Sequence, residues 1–176
     1  MANYNFTTMP GQTVAREMLV AYLNTGSADE PVWSAIGKRV EDSSEELDWG
    51  EQTSQDILGH TNTTMKKPTI TQTFDPCPLD AGDAAQVKIW NLAFVEQNAQ
   101  ALTSQDMLIV HLYASATGSN TAAFAERYSS CMVKPTGLGG EGGGNLGMPL
   151  DVTYGGVRTI GTATVSGGTV EFVPGS

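Results

Sequence analysis

The chain has 176 residues and a formal net charge of −10, from 9 Lys and Arg against 19 Asp and Glu. Only 16% of its residues are charged and 40% are hydrophobic, enough for a core, so a single domain over 1–176 is the default expectation. The acidic balance argues against binding nucleic acid by phosphate neutralisation, which needs patches of Lys and Arg.

The opening MANYNFTTMPGQ has no basic segment followed by an apolar one, so it does not read as a secretory signal. No run approaches the length of a membrane span, and folding in a cytoplasm is the expectation. Residues 1–15 read as a polar, extended N-terminal arm. Glu17–Leu23 alternates as a first strand, a turn follows at Thr25–Pro31, and Val32–Ile36 is a short second strand.

An acidic window comes next. Glu41–Asp56 holds 7 of the 19 acids, and no Lys or Arg falls between Arg39 and Lys66. Side chains on a strand alternate between faces. From Glu45 to Trp49 this sets Glu45, Leu47 and Trp49 on one face and Glu46 and Asp48 on the other. Residues 51–67 carry few apolar groups and read as a long polar loop, a kind of connection that is usually functional or disordered. Thr69–Phe74 alternates again, with Ile70, Gln72 and Phe74 opposed to a pure threonine face of Thr69, Thr71 and Thr73.

After two prolines, Asp80 or Asp83 can cap a helix expected over Ala81–Asn98. Val87, Trp90 and Phe94 form its apolar stripe, with Ile89, Leu92 and Ala93 beside it. Met107–Ala114 is apolar on both faces and reads as a central strand. A turn at Thr117–Ala122 leads to another strand, Ala123–Lys134. A glycine-rich loop at 135–147 precedes three short strands, Met148–Tyr154, Val157–Val165 and Thr169–Val173. The expected fold is mainly β (α+β): seven or eight antiparallel strands in a sandwich or partly closed barrel, with one flanking helix.

Chemical motifs are weak. Cys77 and Cys131 are too few for a disulfide scaffold or a metal site and read as reduced, partly buried thiols. His60 and His111 give a metal site little to draw on, and His111 reads as a core histidine with satisfied hydrogen bonds. Gly137–Gly147 matches neither a P-loop nor a dinucleotide fingerprint, and Glu141 within it would repel phosphate. No EF-hand pattern is present. Glu46 and Asp48 stand about 6–7 Å apart along a strand, a spacing a glycosidase pair permits but any acidic strand supplies. No nucleophile, base and orienting group can be assembled, so the expectation is no enzyme, no catalytic residue, no metal and no cofactor.

Four blocks in order carry a family resemblance: W-S-A-I-G at Trp33–Gly37, E-E-L-D-W-G at Glu45–Gly50, D-I-L-G at Asp56–Gly59, and K-K-P-T-I-T-Q-T-F-D-P at Lys66–Pro76 ahead of the helix. This layout, over roughly Val14–Val173, resembles the major tail tube proteins of long-tailed phages, close to those of phages and prophages of Gram-positive hosts. The resemblance implies a tail-tube-like β-sandwich or barrel whose six copies form a ring. The rings would stack into a hollow tube through which DNA is ejected, with a long loop reaching the neighbouring ring. It implies a virion tail protein, made and assembled in the host cytoplasm. Its partners would be itself, a tape measure protein, a tail terminator and a distal tail protein, with double-stranded DNA passing unbound.

A conduit for DNA should not hold DNA, and carboxylates and small hydroxyls repel phosphate where Lys and Arg would retain it. Glu46, Asp48, Thr69, Thr71 and Thr73 are therefore the expected lumen wall. Trp33, Leu47, Trp49, Ile70, Phe74, Trp90 and Phe94 are the expected core. The expected inter-ring contact is Glu51, Gln55, Asp56, Ile57, Leu58, His60, Met65, Lys66 and Lys67. Two other readings stay open. The acidic window can be a solvated edge kept from aggregating by its charge. The chain can also be a β-rich binding module, such as a virion decoration, adhesin or carbohydrate-binding domain. A sugar binder would expose several Trp or Tyr on one face, whereas Trp33, Trp49 and Trp90 sit at positions expected to face inward.

Overall fold

The computed structural model describes residues 4–116 and 122–175. The expected turn at Thr117–Ala122 falls almost wholly outside them. In the N-terminal arm, β1 (Tyr4–Phe6) pairs antiparallel with the end of a later strand, and Tyr4 stacks on Phe124 with ring centroids 4.5 Å apart. After a single 3-10 turn at Arg16–Met18 come β2 (Leu19–Asn24) and β3 (Trp33–Ala35). The Asn24 carboxamide oxygen accepts from the amides of Gly26 and Val32 and so closes the turn between them.

The acidic window gives β4 (Glu45–Asp48). The polar segment expected as a loop is instead a hairpin of β5 (Gln52–Gln55) and β6 (Thr61–Thr64), a two-stranded sheet of its own. Threonine favours extended backbone. The Asp56–Gly59 turn closes the hairpin, with the Gly59 amide donating to Asp56 O at 3.0 Å and Gly59 at φ 85°, where glycine carries no Cβ penalty. The threonine-faced strand is β7 (Thr69–Phe74), as expected.

Helix α1 (Ala84–Trp90) starts where Asp83 accepts from the amides of Ala85 and Gln86. It runs into a π-helical turn at Asn91–Val95, and α2 (Ala99–Leu102) follows, capped by Asn98. The single helix expected over Ala81–Asn98 is thus one continuous helical run over residues 84–95 whose last turn is π-helical, and α2 lies beyond it. The remaining strands are β8 (Gln105–Ala116), β9 (Ala123–Pro135), β10 (Leu150–Tyr154), β11 (Arg158–Ser166) and β12 (Thr169–Pro174). The described residues therefore form twelve strands, not seven or eight. The extra ones are the arm strand β1 and the two hairpin strands β5 and β6, counted beside the acidic-window strand β4.

Ten of these strands make one continuous antiparallel sheet that folds over at β9. The first half of β9 pairs with β8 and β11; its second half pairs with β10. One layer thus runs β3-β2-β8-β9-β11-β12, and the other runs β9-β10-β7-β4. Between them lies the main core, where Ala21, Leu23, Met107 and Ile109 of the first layer meet Phe74, Val133, Leu150 and Val152 of the second. Ile89 and Ala85 of α1, with Cys77 and Met148, complete that core. The sheet does not close into a barrel. A smaller cluster on the far face of the first layer joins Tyr22, Trp33, Leu108, Val110 and Val170.

Of the expected core residues, Trp33 and Phe74 are buried and Ile70 packs against the core half-buried. The other four are not core in this chain. Leu47 is 50% exposed, Trp49 44%, Trp90 37% and Phe94 40%. β4 is an edge strand paired only with β7, and Leu47 and Trp49 lie along an open cleft, not under the first layer. In α1, the face turned inward is Ala85, Gln86 and Ile89. Gln86 fixes it by accepting from the Asp80 amide at 2.8 Å and donating to Pro78 O at 3.0 Å. Val87, Trp90 and Phe94 are thereby turned outward.

Candidate functional surface

Register places the expected wall residues together. In the β4–β7 pairing Glu46 lies opposite Thr71 and Asp48 opposite Thr69. Paired residues share a sheet face, so these four and Thr73 line the outer face of the second layer. The structure adds residues that the sequence reading did not assign. Asp151 lies opposite Thr73 and Thr153 opposite Thr71, and Lys134 and Met132 follow on β9. Asp151 and Thr153 were open to detection, because Leu150, Val152 and Tyr154 alternate with them as buried residues. Lys134 brings a cation to the face, but its Nζ lies 3.3 Å from the Asp151 carboxylate. Glu46 and Asp48 form no ion pair among the described residues, so the face remains net acidic.

The hairpin rises from the β4 end of this face. The ladder continues through its root, where the Lys66 amide donates to Trp49 O at 2.9 Å. Every residue expected to reach a neighbouring ring is exposed here: Glu51, Gln55, Asp56, Ile57, Leu58, His60, Met65, Lys66 and Lys67. Its tip is held by Asp56, whose carboxylate accepts from the amides of Leu58 and His60 at 2.9 and 2.8 Å and lies 3.0 Å from His60 Nδ1. Hydrogen bonding from His60 first, and then from its neighbours, holds the Asp56 carboxyl below its usual range. Ile57 and Leu58 at this tip are 102% and 75% exposed.

Behind this acidic face, at the hairpin end of the sandwich, the two layers part around a cleft of about 820 Å³. Its mouth is formed by Leu47, Trp49 and Ile70, and its floor is a polar network that the sequence did not reveal. Glu126 of β9 accepts from Tyr128 OH at 2.8 Å and from Arg158 Nε, and lies 3.0 Å from His111 Nε2. The other His111 nitrogen lies 2.8 Å from Tyr113 OH, so His111 is hydrogen-bonded on both sides, as the core reading expects. Burial alone would raise the Glu126 carboxyl, but the bonds from His111, Arg158 and Tyr128 outweigh it and hold it at about 2. Glu45 goes the other way: burial pushes its carboxyl up, and Glu126 adds to this against the opposing His111 and Arg16. On β7, Gln72 accepts from Tyr154 OH at 2.6 Å.

Cys77 and Cys131 are both fully buried free thiols, and burial pushes the Cys131 thiol up to about 12. Among the described residues no group of three or more His, Cys, Asp or Glu is placed to hold a metal. No helix of the described residues is long and apolar enough to cross a membrane.

No protein-family model matches the chain, and no curated protein matches it in sequence. Among solved structures, it is similar to a chain of the sheath–tube complex of an extracellular contractile injection system (PVC, extended state). That match has 8% identity and a TM-score of 0.46, over 87% of this chain and 94% of that one. It is also similar to the tube-terminating cap of the anti-feeding prophage, with 15% identity and a TM-score of 0.46 over 89% and 95% of the two chains. A chain from the PVC sheath/tube terminator gives 9% identity and a TM-score of 0.49, over 86% and 99%. At TM-scores below 0.5 these likenesses decide neither fold nor role.

Proposed function

We propose that this chain is a structural subunit of a phage or tail-like-particle tail tube, forming stacked hexameric rings around a lumen through which DNA is ejected. One observation carries the reading. A single four-stranded layer presents an acid-and-hydroxyl face, and an exposed hairpin continues from the end of that same layer. A free monomer gains nothing from a two-stranded hairpin held out in solvent, since an isolated hairpin is marginal at best. A stacking subunit uses one to reach its neighbour. The face suits the inside of a conduit, because Glu46, Asp48 and the threonines offer DNA no cation to bind and Lys134 is already engaged by Asp151. The ring number comes from the family resemblance. Tape measure, terminator and distal tail proteins would be the partners at the tube's ends, and the virion tail its place.

The test is negative-stain electron microscopy of the purified protein at high concentration, and of any particle it copurifies with. Rings or hollow tubes are the expected result. Small monodisperse particles under every condition, including seeding by tail tips, would reject the reading.

A second reading, a β-rich binding module, is favoured by one feature. Trp49, expected inside, stands at the mouth of the cleft together with Leu47. Trp90 lies on α1 beside Phe94, with 6.0 Å between ring centroids, and Trp33 is buried, so the three tryptophans do not form one platform. A glycan array would show binding by this reading and none by the tube reading.

A further inference from the structure

The cleft at the hairpin end, about 820 Å³, is of the size that holds a small molecule. Most polar groups that line it are already committed. Glu126 is claimed by Arg158, Tyr128 and His111. Arg16 donates from Nε and Nη2 to Ser43 O at 2.9 and 2.8 Å, and from Nη1 to Leu19 O at 2.8 Å. The phenol hydroxyls are taken as well: Tyr128 by Glu126, Tyr154 by Gln72 and Tyr113 by His111.

Glu45 is the exception. It lies on the cleft side of β4 with Leu47, half-buried, yet its carboxylate makes no hydrogen bond and no ion pair among the described residues. Lys67 also lines the cleft without a partner, but it is exposed and is not among the charges that bear on Glu45. A charged group withdrawn from water without a partner weakens its own fold. Burial pushes the Glu45 carboxyl up, against the pull of His111 and Arg16. An acid kept on these terms at the wall of an open cavity is an acceptor that a ligand can complete. Its surroundings suit a cation. Aromatic ring faces attract ammonium and guanidinium groups, and Tyr113 and Tyr154 lie close enough to Glu45 to feel its charge. Leu47 and Trp49, both partly exposed, stand at the mouth, where an apolar stem would lie. An anion would meet Glu45 and Glu126 with both guanidinium groups already engaged.

We propose that this cleft binds a small organic cation, whose ammonium or guanidinium group pairs with the Glu45 carboxylate while its apolar stem lies against Leu47 and Trp49. The site does not rest on the tube reading. Glu46 and Asp48 alternate with Glu45 to the other face of β4, so the acid-and-hydroxyl surface and the cleft are separate. It differs from the glycan site of the second reading in requiring charge on the ligand. Glu45 destabilises the free subunit and stabilises the bound one, because a ligand that binds only the folded chain raises its melting temperature.

The experiment titrates phenethylamine into the purified full chain, with phenethyl alcohol, similar in shape and uncharged, as the control. Binding is read from backbone amide NMR shifts and from the melting temperature. Wild type should bind the amine saturably, with shifts centred on β4, His111 and Tyr113, and should bind the alcohol about tenfold or more weakly. Glu45→Gln keeps the side chain's shape and should lose about tenfold or more in affinity for the amine. Without ligand it should melt at least as high as wild type. Trp49→Leu should weaken the amine about threefold or more and leave the ligand-free melting temperature unchanged. Equal binding of amine and alcohol, undiminished amine affinity in Glu45→Gln, or no saturation up to about 10 mM amine would each overturn the inference. So would a ligand-free Glu45→Gln chain that melts lower than wild type, because a group of the chain itself would then already be pairing with Glu45. Rings or tubes in micrographs stand or fall independently of all these outcomes.

Discussion

Glu126 shows how one buried side chain sets the properties of the open end of the sandwich. It is tied to Arg158, Tyr128 and His111, with its side chain only 9% exposed, so removing its charge strands a guanidinium and an imidazole in a poorly hydrated site. Breaking one partner of such a buried set costs about 3 kcal/mol or more, and Glu126→Gln should lose about that much in urea denaturation at pH 7. The folded state depresses this carboxyl to about 2 from an ordinary 4.5. Its stabilisation is therefore complete above the ordinary value and drains away as pH falls toward 2, so the gap between wild type and Glu126→Gln should narrow below about pH 4. Glu45 has the opposite sign. Burial raises its carboxyl, which disfavours the charged form in the fold. Glu45→Gln should therefore melt higher than wild type at pH 7. That advantage should vanish in acid, where both side chains are neutral; a melting temperature that falls at pH 7 would mean the Glu45 charge is used by a partner in the cleft.

Among the elements, the hairpin and β7 behave differently because one is held by the body and the other is not. Replacing Glu51–Met65 with a short Gly-Ser turn should leave the free subunit's stability within about 0.5 kcal/mol, the usual effect of changes away from packed features, and should abolish stacking in electron micrographs. Changing Glu46 and Asp48 together to Lys should leave tubes intact and slow or stop DNA release; tubes that fail to assemble would instead make these acids subunit contacts. The elements also show what sequence carries. β7 was readable residue by residue, because Thr69, Thr71 and Thr73 alternate strictly with Ile70, Gln72 and Phe74. The hairpin was missed because its strands, QTSQ and TNTT, have no apolar period for burial to mark; only β-propensity and the turn at Asp56–Gly59 were available. The helix face was misread because Val87, Trp90 and Phe94 look like a core stripe until Gln86 is seen anchoring the opposite side to Asp80 and Pro78. The Glu126 network was illegible for a further reason. It joins residues 111, 126 and 158 through strand register, with an irregularity between His111 and Ser115 that no local pattern signals.

For the whole molecule, the proposed tube raises the question of how copies carrying a net charge of −10 would associate at all. Glu46, Asp48 and Asp151 account for part of that charge, and in the proposed ring the faces that carry them would converge on one axis. The subunit edges of such a ring would then have to offset a repulsion that grows with every copy added. The repulsion acts over the screening length, about 20 Å at 20 mM salt and about 4 Å at 0.5 M. Ion pairs across a subunit contact would act at contact distance, and exposed pairs contribute only about 0–1 kcal/mol. Raising salt should thus remove more repulsion than attraction and strengthen apolar burial at exposed side chains such as Ile57 and Leu58. The concentration at which tubes appear, followed by light scattering and micrographs, should fall as NaCl rises from 20 mM to 0.5 M. In Glu46→Gln/Asp48→Asn tubes, where the charge of that face is removed and not reversed, that salt dependence should flatten. A tube that instead dissolves as salt rises would show that ion pairs between subunits, and not apolar contacts, hold the stack together.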